Sequence, residues 1–194
     1  MTTRLDDRDP LSPRAREIVA AARELLDEAG TGGLSMRRVA ERVGIRAPSI
    51  YKHLPDKEAL EDAVISDGFV ELAAAFSTAQ SASDPLAALA ISFRQFALAH
   101  PGLYRLMTER PLRRDRLAPG AEEAAAAPVV AAAGGDEHLA RAVWAFAHGM
   151  AILELNGRFP PVADLDAAWE RGIAAFSRSA VNPSSAHARP GGRG

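Results

Sequence analysis

The stretch GIRAPSIYKHLPDKEAL, residues 44–60, decides how this chain is read. Gly44 lacks a β-carbon and so reaches the left-handed backbone conformation that ends a helix and turns the chain tightly. Pro48 suits the first turn of a helix, where its missing N–H costs nothing, while Pro55 turns Leu54 away from helical geometry. The stretch predicts a helix ending at Gly44, a short one over residues 47–53, and a long one capped by Asp56. Ala40, Gly44 and Ile50 supply the mechanics of the bend. Ala40 is small where two helices cross, Gly44 makes the turn, and Ile50 returns an apolar side chain to the same core.

Outward from this bend, apolar residues recur at spacings of three and four with no sustained alternation, so the chain reads as all-α. Ser12 and Pro13 open a first helix that Gly30 stops, with Ile18, Ala22, Leu25, Leu26 and Ala29 inward. The second starts at Ser35 and buries Met36, Val39, Ala40 and Val43, leaving Arg37, Arg38 and Arg42 outward. The fourth runs from Asp56 to about Gln80. Asp84 and Pro85 open a fifth that ends at His100, and Pro101-Gly102 turns the chain into a short sixth segment. The basic loop from Arg110 to Pro119 is expected to be mobile. Residues 120–133 are helical by propensity, with Pro128 expected to kink or split them into one helix or two. Asp136 and Asp164 cap the last two helices, which run to about Asn156 and about Ser179. Residues 1–11 read as a flexible start and 181–194 as a disordered tail.

The chain of 194 residues is long enough for a small module joined to a larger one. It has no cysteine, which excludes disulfides and thiolate metal sites, and no apolar stretch long enough to span a bilayer. A cytoplasmic protein without membrane association is the expectation. The formal net charge is −2, but residues 35–57 hold six basic against two acidic side chains. That window carries +4, so the remainder carries −6, and a local positive patch on an acidic protein suits a phosphate-seeking module. The only two lysines of the chain, Lys52 and Lys57, fall in this window. Either they met there by chance, or a compact ammonium is wanted where arginine is otherwise the default base.

The second and third helices thus read as a helix-turn-helix. Its exposed face offers Arg46, Ala47, Ser49, Lys52 and His53 to a major groove, with Arg46 and Ser49 placed for base edges. Tyr51, Lys52, His53 and Lys57 suit phosphate, and Lys57 stands where a helix N-terminus already favours an anion. Residues Ser12 to Leu60, above all SIYKHLPDKEAL, resemble the DNA-binding region of TetR-family transcriptional regulators. The resemblance implies that Tyr51, His53 and Lys57 contact the DNA backbone and that Ser35 is a further phosphate contact. Arg46 departs from it, since the family often carries Ser or Thr there as the cap of the third helix.

A second stretch, WAFAHGMAILELNG at residues 144–157, is similar to the Trp-His-Gly segment of one subgroup of TetR-type C-terminal domains. Apolar spacing and caps give about nine helices, and the resemblance implies a DNA-binding domain over 12–57 and a helical effector-binding and dimerisation domain over 58–180. It also implies a homodimer whose last two helices pair with a partner's. Gly149, Met150, Leu153, Trp169, Gly172, Ile173 and Phe176 are the candidates for that pairing, or else they fill the protomer's own core. A small-molecule effector, largely apolar, is implied as well. Phe93, Phe96, Tyr104, Met107, Trp144 and His148 are either its lining or plain core.

Catalysis finds little support. The sequence has no phosphate-cradling glycine loop, no nucleophile elbow and no metal-spaced cluster, and its five histidines are scattered. No catalytic residue, metal or cofactor is expected. The leading expectation is a ligand-released repressor acting as a homodimer on a near-palindromic operator in double-stranded DNA. The alternative is a helix-turn-helix adaptor that works through protein contacts without an effector.

Overall fold

Ser12 opens the first helix as its position predicts. In the computed structural model, which describes residues 11–181, its hydroxyl accepts from the Ala15 amide at 3.2 Å and Pro13 takes the first helical position. Helix α1, Pro13–Ala29, ends at Gly30, whose φ of 62° only glycine adopts cheaply. Its buried stripe, from Ala15 and Ile18 to Leu25 and Leu26, repeats every three or four residues. Helix α2, Met36–Val43, is capped by Ser35 and stopped by Gly44 in the left-handed conformation. The Ile45 amide then reaches back to the Ala40 carbonyl at 2.9 Å, which satisfies an end that would otherwise be bare. Helices α3, Ala47–Ile50, and α4, Lys57–Phe76, follow, the latter with Asp56 accepting from the Ala59 amide at 2.7 Å.

The remaining helices are α5, Pro85–Ala99; α6, Pro101–Thr108; α7, Ala121–Ala132; α8, Glu137–Leu155; and α9, Leu165–Val181. Asp84, Asp136 and Asp164 cap α5, α8 and α9 through their carboxylates. Among the described residues there are nine α-helices and no strand, as the sequence predicts. The flexible start over residues 1–10 and the tail from 182 to 194 lie outside the described residues. Residue 181, expected to begin that tail, ends α9 instead.

Three local expectations are corrected and a fourth is narrowed. The third helix is shorter than residues 47–53: after Ile50 the chain tightens into turns, with His53 and Leu54 both donating to the Ile50 carbonyl at 3.0 Å, because Pro55 bars continuation. Helix α4 stops at Phe76 rather than Gln80, and a single 3-10 turn at Ala79–Ser81 follows. Of the two outcomes expected at Pro128, the split does not occur, and residues 121–132 form one helix. Pro128 forfeits one backbone bond inside an alanine-rich helix whose propensity absorbs the loss. The loop 110–119 is tied down by ion pairs described below, and it contains a 3-10 turn at Arg114–Arg116.

The described residues divide into two compact units, one built from 11–74 with 96–125 and the other from 75–95 with 126–181. In the first, α1 packs against α2 and α6, and α2 packs against α3. Ile50 and Leu54 are buried there and anchor the short third helix. In the second, α8 packs against α9. Phe146 of α8 lies where a β-carbon on Gly172 of α9 would fall, 2.0 Å from its Cζ, so a larger residue there requires the Phe146 ring to move.

Gly102 has an equivalent role in the first unit. A β-carbon on it would stand 2.3 Å from the Leu26 carbonyl oxygen and 2.9 Å from its carbon, backbone atoms that cannot swing away. Gly102→Ala is therefore expected to destabilise the chain by about 1–3 kcal/mol, whereas Gly32→Ala, which meets nothing within 4 Å, stays within about 0.5 kcal/mol. Thermal unfolding of the two variants followed by circular dichroism checks the contrast.

Candidate nucleic-acid interface

The short third helix is held from beneath and open above. Ile50 and Leu54 are almost fully buried, and Tyr51, which follows Ile50, is half exposed at 50%. Arg46, Lys52 and His53 are exposed, Ala47 and Ser49 are partly covered, and Lys57 stands exposed at the first residue of α4. Ser35, half-buried at the start of α2, spends its hydroxyl on the Arg38 amide at 3.3 Å. The eight residues singled out in the sequence thus fall on three consecutive helix starts and the turns between them. No side chain caps α3 at Arg46.

Charge is distributed less simply than a count over residues 35–57 predicts. Arg37 pairs with Glu41 at 2.8 Å, and Arg38 donates to the Gly33 carbonyl at 2.8 Å. Arg42 reaches Glu24 at 2.9 Å and Glu28 at 2.7 Å, both on α1 and outside the counted window. Its hydrogen bond holds the Glu28 carboxyl below the usual carboxylate range. Arg42 therefore stitches α2 to α1, and the +4 patch shrinks. Among the described residues Arg46 and Lys52 make no ion pair, and Lys57 lies 3.3 Å from Glu61.

Sequence reading missed the other side of this end of α4. Glu58, Glu61 and Asp62 meet the loop after α6: Arg110 donates to Glu61, and Arg113 grips Asp62 through two bonds of 2.9 Å and also reaches Glu58. Ser66 donates to the Asp62 carbonyl at 2.8 Å and accepts from the Ala118 amide at 2.9 Å. Burial pushes the Asp62 carboxyl up, and Arg113 opposes that shift. The Lys57–Glu61 spacing of four was readable in the sequence. The partners some 49 to 55 positions away were not.

The six residues proposed for an effector divide between the units. Phe96, Tyr104 and Met107 are buried in the first, where Tyr104 has its phenol pushed up by burial and Met107 packs beside Gly68. Phe93 is buried in the second, and Trp144 of that unit, 54% exposed, stacks on His148 with ring centres 5.5 Å apart. Burial holds the His148 imidazole below its ordinary value.

Of the residues proposed for a dimer, Trp169 and Ile173 are buried in their own unit. Trp169 donates its indole N–H to Glu154 at 3.2 Å and lies under the Arg94 guanidinium, while Phe146 meets it edge-on. Phe176 is half-buried, 5.7 Å from the same Phe146 ring. On α8, Gly149 and Met150 are half-buried and Leu153 is exposed. A β-carbon on Gly149 would meet nothing within 4 Å. Gly149 thus faces open space in the protomer, and the close helix approach falls at Gly172 instead.

Among the described residues no cluster of His, Asp and Glu is arranged to hold a metal, and no helix is long and apolar enough to cross a membrane.

Comparison with known proteins agrees with this geometry. Residues 18–64 match the family described as bacterial regulatory proteins, tetR family, and residues 86–176 match the tetracyclin repressor-like C-terminal domain. An HTH-type transcriptional regulator of Mycobacterium tuberculosis is 29% identical over 171 residues, covering 82% of this chain and 78% of its own. The class C tetracycline repressor protein of Escherichia coli is 36% identical over 86 residues, 43% of this chain and 39% of its own. Among solved structures, a Rhodococcus sp. RHA1 protein of unknown function superposes with a TM-score of 0.72 at 28% identity, covering 88% of this chain and 96% of its own. A TetR variant from Acinetobacter baumannii AYE, in complex with minocycline, gives 0.60 at 25% identity over 84% of this chain and 93% of its own. With a helix-turn-helix at its N-terminal end, helices throughout, and both halves matched to one family, the chain belongs to the TetR family of transcriptional regulators.

Proposed function

We propose that this TetR-family DNA-binding regulator is a ligand-released repressor that acts as a homodimer on a near-palindromic operator. The observation that carries the reading is the face of α3 and the turn after it. Arg46 and Lys52 stand exposed without ion pairs among the described residues, beside an exposed Tyr51, on a segment pinned by the buried Ile50 and Leu54. Rigid support with free cations above it is what reading a groove requires. Arg46 and Ser49, with Ala47 between them, are assigned to base edges. Ser35, Tyr51, Lys52, His53 and Lys57 are assigned to phosphates. Residues 12–57 form the reading head.

Two such heads must be presented on one face of the duplex, where successive major grooves lie about 34 Å apart. The exposed Leu153 and the open position at Gly149 on α8 favour a partner's helix there. Residues 58–180 then serve dimerisation and effector binding, and the minocycline complex of a structural relative supports a small-molecule effector. Such a ligand releases DNA only if it binds the free state better than the DNA-bound one. Regulation by binding, with no reaction catalysed, is the whole of the proposed activity.

Selection from a random duplex pool by the full chain tests this reading. An inverted repeat should emerge, and if no sequence is enriched the reading fails. On the selected duplex, Tyr51→Ala and Lys57→Ala should each weaken binding about tenfold in fluorescence anisotropy. Lys52→Ala should lower the slope of affinity against salt by about one ion.

The half-buried His148 makes a separate prediction. Because its folded imidazole is held below its ordinary value, the folded chain takes up that proton less readily than the unfolded one. Its contribution to stability is present above about pH 6.5 and is lost as pH falls through the folded value. The melting temperature of the wild type should therefore fall between neutral and mildly acidic pH by more than that of His148→Gln.

A further inference from the structure

Glu61 is the buried member of a three-way ionic contact. Its side chain is only 6% exposed, whereas Lys57 is 44% and Arg110 60% exposed. One carboxylate oxygen faces the Lys57 ammonium at 3.3 Å, and the other accepts from Arg110. Lys57 begins the helix that follows the reading head, and Arg110 lies just beyond the end of α6. A single carboxylate thus serves both the lysine assigned to DNA and the segment after α6. One residue on from Glu61, Asp62 is gripped by Arg113, which also reaches Glu58, so the segment is fastened to α4 twice.

The three charges are not equally free. A buried carboxylate must remain paired, whereas the two exposed cations can be solvated. Lysine carries its charge on a flexible four-carbon stem and can swing, while the arginine fork holds a fixed geometry. While Arg110 satisfies Glu61, the Lys57 ammonium can leave the carboxylate for a phosphate at little cost. Without Arg110 the buried carboxylate has Lys57 as its remaining cation among the described residues and holds it back.

We infer that Arg110 is a positioning residue for DNA binding: by occupying Glu61 it frees Lys57 for the DNA backbone. This inference rests on the assignment of Lys57 to phosphate, and the experiment separates the two. Affinity for the selected duplex is measured by fluorescence anisotropy at several salt concentrations for Lys57→Ala, Arg110→Gln, Glu61→Gln and the double variants Arg110→Gln/Glu61→Gln and Lys57→Ala/Arg110→Gln. Melting temperatures are recorded alongside.

Arg110→Gln should weaken binding about fivefold and reduce the salt slope as Lys57→Ala does. Glu61→Gln should bind at least as tightly as wild type. The double variant with Glu61→Gln should recover to the level of Glu61→Gln alone, and Arg110→Gln should have no effect once Lys57 is alanine. Arg110→Lys, which keeps the charge, should retain most of the affinity and guards against a folding defect in the glutamine variant. A loss that persists in the Glu61→Gln background overturns the inference, because Arg110 then acts on DNA directly or through the fold. An unchanged affinity in Arg110→Gln overturns it while leaving Lys57 in place. If Lys57→Ala itself binds normally, the phosphate assignment fails and the inference with it.

Discussion

The Leu26 carbonyl is the point on which the first unit depends. It accepts from the Gly30 amide at 2.8 Å, which ends α1, and the bare face of Gly102 presses against the same group. Helix α6 lies this close to α1 only because position 102 has no side chain. The close approach lets Leu103, Tyr104 and Leu106 bury themselves in the unit's core, and on the same grounds α1 offers its stripe to α2. The left-handed turn at Gly44 then aims α3, and Ile50 locks it. The exposed face of the reading head thus sits at the end of a chain of constraints that begins with two backbone atoms.

Charge is sorted in the same unit by what each cation must do. Arg23 spans Asp67 and Glu71, Arg42 spans Glu24 and Glu28, and Arg113 spans Glu58 and Asp62. In each case a planar fork joins two carboxylates, a geometry that an ammonium reproduces poorly. Most of these pairs are exposed enough that each adds little stability. Their effect is to fix register between helices, and they take most of the basic charge out of circulation. What remains free is concentrated around Arg46 and Lys52, so selectivity for phosphate comes from neutralising the surroundings as much as from adding cations.

Features set by short-range chemistry were legible in the sequence. Ser12, Ser35, Asp56, Asp84, Asp136 and Asp164 all cap helices as predicted, because a cap needs only a short side chain and an amide two or three residues on. The glycine and proline signals around residues 44–55 were readable for the same reason, and they placed the reading head. Features that depend on distant partners were hidden. Arg110 and Arg113 looked like a loose basic loop because Glu61 and Asp62 lie about 50 positions earlier in the chain. Trp169 and Ile173 formed a stripe that suited a partner or a core equally, and only the packing of Phe146 and Arg94 shows what they touch within the protomer. Pro128 left one helix or two open because the penalty for an interior proline is a single local term, whereas a helix is decided by the sum over its length.

The division of labour between arginine and lysine reaches beyond recognition. Because every clamp described here is built from arginine, the primary amines carried by side chains are confined to Lys52 and Lys57. Any reaction that seeks amines, whether acetylation, crosslinking by an activated ester or covalent capture on a solid support, finds its side-chain targets at the reading head. The helices of the other unit carry none. An enzyme that acylates lysine would thus meet, in its two side-chain substrates, the face assigned to DNA.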